Sequence, residues 1–508
     1  MSIQKFLLFT LALVVAFSCD KPTEDPESPA PSLVSVSPPD GTADVVGSSL
    51  TVTFSFDQSI KCPLDGQRNI SIDGGASVGA VNVSGMDLKV AVSGLKQATS
   101  YHLKIPAGTL LGFRKNQKSC SAITYSFTTK KSGDPAPGEW ESAALAARNM
   151  GTGWNLGNTL DSNSGSLDNM WIEAWTNRTT TDYETAWGQP VATRELIHMF
   201  KEAGFRTIRV PVTWYPHIGK VKVEVIGGKP IWDPSTWTGY EVDPVWMARV
   251  KEVVDYVIDE GMYCILNVHH DTGAESAAWL RADPTVYEQQ KERFCELWKQ
   301  IATTFGDYDK HLLFESFNEM LDAKSTWNYS TKEAHETINK YNADFVATVR
   351  STGGNNAQRN LILNTYAASA DAKALADFSL PNDSVEGHLM VEVHSYAPYL
   401  FAFDVSYGQK TSFDASCEKE VKDIIEGLNT HFVSKGIPCV IGEYGCTANQ
   451  KEIERAKQAS CYVSNAAKYD IPCVYWMSLS DGEDRTIPKW TTPNIKTAIL
   501  NAWNDNHK

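Results

Sequence analysis

No dense run of lysine or arginine occurs anywhere in the sequence. A phosphate backbone is gripped by clustered basic side chains, whereas this chain carries a formal charge of −15, which excludes nucleic acid as a substrate but leaves a neutral polymer open. No CxxC or HExxH spacing points to a metal centre, and neither metal nor cofactor is expected. The ten cysteines fall at no regular interval. Cys264, Cys439 and Cys473 lie inside apolar strand-like runs and are expected to be buried thiols, while Cys62 and Cys120 could pair within the N-terminal region. Tryptophan is absent before Trp140 although the chain holds 15, so the N-terminal region has no indole platform on which a sugar ring could stack. The apolar run from Phe6 to Phe17, broken at Thr10, is too short to span a bilayer.

That run follows Lys5, ends at Ser18-Cys19 and has the length of a secretory signal core. It resembles a bacterial lipoprotein signal, in which Cys19 is lipidated and becomes the mature N-terminus, although Phe17 is bulkier than the usual motif; the alternative is a plain signal peptide cut near Ser18. Export follows, with a lipid anchor as the membrane contact and the cell surface favoured over the periplasm. Residues 19–31 and 130–139 ("KKSGDPAPGE") are rich in proline or charge without apolar periodicity and read as linkers. Between them, residues 32–129 contain short alternating runs, "SLTVTFSF", "DLKVAVSGL", "SYHLKI" and "ITYSFTT", the pattern of a small all-β sandwich. Their order resembles bacterial Ig-like domains, and a spacer is the expected role. At 508 residues a second unit is needed.

From residue 140 to 508 strand-like and helix-like stretches alternate. Eight strand-like runs end in polar residues: "GTGWNLGN", "GFRTIRVPV", "YCILNVHH", "LLFESFNE", "NLILNTY", "LMVEVHSY", "PCVIGEYG" and "PCVYWMS". Eight βα repeats predict an α/β fold, a (β/α)8 TIM barrel, whose chemistry sits at the C-terminal ends of the strands. Those ends supply Asn158, Arg209, His269, Asn318, Glu319, His394, Tyr396, Glu443 and Trp476.

Glu319 and Glu443 end the fourth and seventh strands, which face each other across a barrel mouth. Two carboxyls flanking a sugar are what glycoside cleavage requires, one to protonate the leaving oxygen and one to attack the anomeric carbon or activate water. Arg209 and Tyr396 are suited to hold Glu443 ionised, and Glu319, beside that charge, is expected to be pushed towards its protonated state. Asn318 can meet the substrate together with its neighbour only if the strand end is distorted, because adjacent strand residues point to opposite faces. His269 and His270 diverge for the same reason, and no third ligand sits at usable spacing for a metal. Trp476 is suited to floor a sugar subsite. Glu315, deeper in the fourth strand, is expected to be structural, and Trp298, Ile301, Phe305 and Tyr308 to pack in the core.

The motifs "GWNLGNTLDS", "ETAWGQP", "GFRTIRVPVTW", "LNVHHD", "FESFNEM", "VHSYAPY" and "IGEYG" together resemble the catalytic domain of glycoside hydrolase family 5. The resemblance implies Glu319 as acid/base and Glu443 as nucleophile, with Arg209, His269, Asn318, His394, Tyr396 and Trp476 in support. Asn158, His217 and His270 are further candidates for substrate contact. The early motifs, with "VPVTWYPH", look most like the endoglucanase subfamily that includes many xyloglucan-cleaving enzymes. Met320 stands where many relatives have proline, and "WMSLSDGED" where an Asp-Asn pair is common.

The expected activity is a retaining endo-β-1,4-glucanase, working by double displacement on cellulose-like glucan or xyloglucan and acting as a monomer. Retention implies carboxyls about 5–5.5 Å apart. Two alternatives remain at this level: an endo-hydrolase of mannan or mixed-linkage glucan, and a catalytically silent surface glycan-binding protein. For the anchor, Cys19→Ala is expected to release the protein from membranes into the soluble fraction; unchanged membrane association rejects lipidation.

Overall fold

The structure is a computed structural model, described here for residues 29–45, 49–96, 99–113, 118–129, 140–403, 409–476 and 483–507. The signal segment, Cys19, nearly all of the first linker, the second linker at 130–139 and the stretch 477–482 after Trp476 lie outside the described residues. The chain divides into two compact units, 1–131 and 132–508.

The first unit is a sandwich of two four-stranded sheets. One sheet runs in the order Leu33–Ser37, Ser49–Phe56, Asp87–Ser93, Ser77–Ser84, and the other Thr42–Val45, Ile123–Thr129, Ser100–Ile105, Ser71–Ile72. Alternate residues point inward, so Val52, Phe54, Phe56, Leu88, Val90, Val92, Leu103, Ile105, Tyr125 and Phe127 form its core. The strand Ser77–Ser84 is absent from the alternating runs seen in the sequence, because Gly79 and Ala80 interrupt its apolar face. Cys62 and Cys120 do not pair; both are free thiols.

The second unit is a closed barrel of eight parallel strands, each hydrogen-bonded to the next and the last to the first. These are β1 (Thr152–Asn155), β2 (Thr207–Val210), β3 (Tyr263–Asn267), β4 (Leu312–Glu315), β5 (Leu361–Ser369), β6 (Leu389–His394), β7 (Cys439–Tyr444) and β8 (Cys473–Trp476). The helices that follow them in turn are α1 (Arg194–Ala203), α2 (Pro244–Asp259), α3 (Tyr287–Thr304), α4 (Lys332–Ser351), α5 (Ala372–Asp377), α6 (Ala415–His431), α7 (Glu452–Ala466) and α8 (Pro493–Asn506). Helix α2 begins where Asp243 accepts the Val245 amide and ends before Gly261, whose φ of 65° suits only a residue without a Cβ penalty.

The two-residue period of the strands sorts their side chains. Outward residues such as Ile208, Leu266, Phe314, Leu363, Val391 and Ile441 pack against the helices, where Trp298, Ile301 and Phe305 are also buried. Inward residues at the N-terminal end, Ile265, Leu313, Ile362, Met390, Val440 and Val474, form a second apolar cluster. A short helix before β1, Ala143–Met150, covers that end with Met150 and three alanines, Ala143, Ala146 and Ala147, whose side chains are small enough to let it approach the strand ends closely. The barrel is therefore sealed at the bottom and open for chemistry only at the top. Cys264, Cys439 and Cys473 are buried free thiols.

One insertion gives no clear signal in the sequence. Between β2 and α2 a hairpin of Ile218–Ile226 and Lys229–Val242 folds back on the barrel, with Trp237 stacked under the Arg293 guanidinium 3.7 Å away. Its strands alternate around charged and polar residues, which read as a solvated loop until a partner strand is known.

The apolar seal makes one residue diagnostic of barrel packing. Leu313→Ala empties a fully buried interior position and is expected to cost about 2–5 kcal/mol in denaturant unfolding of the catalytic domain. A cost below about 0.5 kcal/mol would mean that the bottom layer is not packed as described.

Candidate active site

Above the apolar layer, the inward positions become polar: Asn155 on β1, Arg209 on β2, Asn267 on β3, Glu315 on β4, Asn364 on β5 and Glu392 on β6 are all fully buried. A buried guanidinium must fill its donors to compensate for lost hydration, and Arg209 fills all five N–H groups. Its Nε and one terminal nitrogen donate to Glu315 at 2.6 and 2.8 Å; the remaining donors reach Asn318 Oδ1 at 3.0 Å, Asn155 Oδ1 at 3.0 Å and Glu443 at 2.7 Å. Burial works against the Arg209 charge, but Glu315, Glu392 and Glu443 outweigh it and hold the guanidinium well above its usual range. Burial likewise opposes the charge of Glu315, but Arg209 holds its carboxyl below the usual range.

Glu315, expected to be structural, is the base of this network and also accepts from Asn267 at 2.9 Å. The other amide hydrogen of Asn267 goes to His269 Nδ1 at 3.0 Å. That bond leaves the His269 hydrogen on Nε2, 4.0 Å from Glu443 Oε1 and facing the mouth. Burial, with the charges of His270 and Arg209, holds His269 neutral by lowering its pKa.

The two candidate carboxyls arrive by different routes. Strand β4 ends at Glu315, and the chain then leaves the ladder: Asn318 N donates to Val268 O and Met320 N to Asn318 O, both at 2.8 Å. This distortion brings Asn318 and Glu319 to the same site. Glu443 lies inside β7, where the ladder slips between Ile441 and Tyr444 and pairs His394 with Glu443. Tyr396 donates its hydroxyl to Glu443 Oε2 at 2.6 Å, and burial beside that carboxylate keeps the phenol protonated. His394 Nδ1 is 2.8 Å from Glu319 Oε1 and 3.6 Å from Glu443 Oε2. Burial alone would strip the His394 proton, but Glu443, Glu319 and Glu392 together push its pKa up to about 10. One oxygen each of Glu319 and Glu443 lie within 4.8 Å of each other.

Trp476 ends β8 with its ring almost parallel to His269, 5.7 Å between centroids at 7°. Its other neighbour is Gly157, where a Cβ would come within 2.7 Å of the indole, so only glycine lets the ring lie flat there. Asn158 follows with φ 59°, its amide donating to Asp161. His270 stands edge-on to His269 and Trp187 at the mouth. His217 is not brought to this cluster. It is stacked on Trp246 of α2 at 3.8 Å and packed against Tyr183, and burial pushes its pKa down to about 3. Its polar ring misled the sequence argument; the adjacent 3₁₀ turn Tyr215–His217 points it at the helix layer.

Among the described residues, two groups of donors are close enough to hold a cation, Asp161–His269–His270 and Glu319–His394–Glu443. Their atoms are committed to hydrogen bonds instead: Asp161 accepts the Asn158 and Thr159 amides, and His394 contacts carboxylates through both nitrogens.

A polar barrel mouth with two carboxylates bridged by a histidine has known relatives. Residues 172–482 match the family model "Cellulase (glycosyl hydrolase family 5)". The chain belongs to glycosyl hydrolase family 5. It is 35% identical over 378 residues to endoglucanase A of Clostridium longisporum, covering 72% of this chain and 67% of that protein. Among solved structures, a family 5 enzyme of Prevotella bryantii in complex with a xyloglucan tetradecasaccharide is 40% identical, with a TM-score of 0.62, over 72% of this chain and 99% of that one. A broad specificity endoglucanase of Ruminococcus champanellensis with bound cellotriose is 36% identical, with a TM-score of 0.63, over 71% and 98%. Residues 27–129 match a bacterial Ig-like domain. The family 5 domain is a glycoside hydrolase of the endoglucanase type.

Asn155, Asn267, Asn364 and Glu392 are not among the residues expected from the sequence. The available signal was the strand period, since Asn267 and Glu392 each precede a recognised histidine by two residues and so share its face. Arg209→Lys replaces a five-donor fork by a single ammonium that cannot serve Glu315, Asn318 and Glu443 together. We expect kcat to fall at least about a hundredfold with secondary structure retained by circular dichroism; near-normal turnover would mean that the fork does not organise the site.

Proposed function

We propose that the catalytic domain is a retaining endo-β-1,4-glucanase working by double displacement on cellulose-like glucan or xyloglucan. The observation that carries this reading is the approach of the Glu319 and Glu443 oxygens to within 4.8 Å. Retaining enzymes hold their carboxyls about 5–5.5 Å apart, and inverting ones about 6.5–9.5 Å apart to admit a water between sugar and base.

The surroundings suit two different roles. Glu443 receives hydrogen bonds from Arg209 and Tyr396, which aim its carboxyl as a nucleophile requires. Glu319 is more exposed, with 21% of its side chain open, and can reach a leaving oxygen in the cleft. In the first step Glu443 attacks the anomeric carbon, the glycosidic C–O bond breaks, and the Glu319 proton passes to the leaving oxygen. In the second, Glu319 removes a proton from water, the hydroxide oxygen bonds to the anomeric carbon, and the bond to Glu443 breaks. Asn318 binds Arg209 through its oxygen, which leaves its amide N–H groups for a sugar hydroxyl beside the reacting bond. Trp476 offers the flat face on which a ring can stack.

The xyloglucan fragment and cellotriose bound by the Prevotella and Ruminococcus relatives support a β-1,4-glucan substrate. Export to the cell surface on a lipid anchor rests on the N-terminal sequence; among the described residues no helix is long and apolar enough to cross a membrane.

Purified cellulose, xyloglucan, mixed-linkage glucan and mannan, with product sizing, give the substrate directly; internal cleavage of β-1,4-glucan is expected, and cleavage of mannan alone would overturn the assignment. Glu443→Ala is expected to abolish turnover, with added azide restoring part of it as a glycosyl azide of inverted configuration. Absence of rescue would count against Glu443 as nucleophile.

A further inference from the structure

Glu392 precedes His394 by two residues on β6, so both side chains point into the barrel, Glu392 one layer below. The double displacement uses no such group, yet the carboxyl is completely buried. Its Oε1 lies 3.1 Å from His394 Nε2 and 3.5 Å from Arg209 Nε, while its Oε2 has no hydrogen-bond partner among the described residues. The room for it is made on the neighbouring strand: a Cβ on Gly442 would lie 1.7 Å from Glu392 Oε1. A fully buried carboxyl in space opened by glycine is costly, and its shortest contact is the back of His394.

We propose that Glu392 is a positioning residue that shares a proton with His394 Nε2 and thereby fixes a hydrogen on His394 Nδ1, aimed at Glu319. The proposal rests on the assignment of Glu319 as acid/base. If the shared proton sits on nitrogen, His394 is an imidazolium and Nδ1 carries hydrogen. If it sits on the Glu392 oxygen and is donated to Nε2, His394 is the neutral tautomer whose hydrogen is again on Nδ1. In both states Glu319 meets a donor, which steadies its carboxylate once its proton has gone to the leaving oxygen. The arrangement parallels carboxylates that hold a catalytic histidine from behind and fix its tautomer.

The electrostatics agree with a proton held in this pair. Burial, and then the charge of Glu315, push the Glu392 pKa up to about 7 against the pull of Arg209 and His394. The titratable groups facing the pair are Arg209 on β2, His269 beyond β3, Glu315 on β4, Glu319 beyond it, Tyr396 beyond β6 and Glu443 on β7. Strands β1, β5 and β8 present Asn155, Asn364 and Trp476, which do not titrate.

The test compares Glu392→Gln with the unsubstituted protein on aryl β-cellobiosides. Gln keeps the volume but cannot carry the charge that supports the His394 imidazolium. With that charge removed, both limbs of the kcat/KM profile are expected to move by about 0.5–1 unit. The loss of kcat/KM is expected to be about tenfold or more for a phenyl leaving group and under about threefold for 2,4-dinitrophenyl, which departs without a proton. Equal losses on both substrates with unmoved limbs would reduce Glu392 to packing and overturn the proposal. Glu319→Ala is run in the same assay: if it shows no dependence on the leaving group, the acid/base assignment fails, not the role of Glu392 given that assignment. Should Glu392→Gln fail to fold, nitrogen NMR of labelled histidine in the unsubstituted protein decides. Hydrogen on His394 Nδ1 throughout about pH 5–8 supports the proposal, and a bare Nδ1 overturns it.

Discussion

The site depends on one buried guanidinium. Arg209 spends its five N–H groups on Glu315, Asn155, Asn318 and Glu443, which belong to β4, β1, the segment beyond β4, and β7. A charge in the barrel interior is tolerated only when every donor is satisfied and its partners carry the opposite sign. Satisfying Arg209 therefore fixes, in one step, the nucleophile candidate, the amide beside the acid/base candidate and the structural carboxylate beneath both. Lysine could neutralise the charge but could not connect four side chains in a plane.

The barrel interior is graded along its axis, and the grading follows from strand alternation. Inward residues of one strand lie two positions apart, so Leu313, Glu315 and the chain beyond β4 ascend from apolar to ionic to reactive, as do Met390, Glu392 and His394 on β6. The apolar bottom layer, closed by Ala143–Met150, excludes water from below. That exclusion strengthens every ionic contact in the middle layer, because the same charges separated by the same distance interact several times more strongly away from solvent. The mouth above can then be open to a polymer without the network beneath it being hydrated.

Much of this was legible in the sequence. The eight strand-like runs all appear as barrel strands, since each joins a buried apolar stretch to a polar end and little else satisfies both. Glu319, Glu443, Arg209, His394 and Tyr396 were recognisable as strand-end residues, and three contacts of 2.6–2.8 Å now involve all five of them. The hairpin after β2 was hidden because a two-stranded ribbon with one solvated face has the composition of a loop. His217 was misplaced because chemistry-bearing side chains look alike in a sequence; only the stacking on Trp246 reveals that it faces the helices. Glu392 was hidden for the opposite reason, as a charged residue between Val391 and Val393, where alternation gave its direction but not its partner.

The middle layer also shows that this barrel is not built for stability alone. Replacing a buried ionic network by apolar side chains of similar volume is commonly neutral or stabilising, by about 1–4 kcal/mol. Arg209, Glu315 and Glu392 could each have been such a residue, as Ile265, Leu313 and Met390 are one layer below. What an apolar layer cannot do is hydrogen-bond two carboxyls from beneath and aim both at one point in the mouth. The glycine that makes room for Glu392 is the clearest sign of that compromise, because it adds nothing to packing and is needed to seat a carboxyl behind His394.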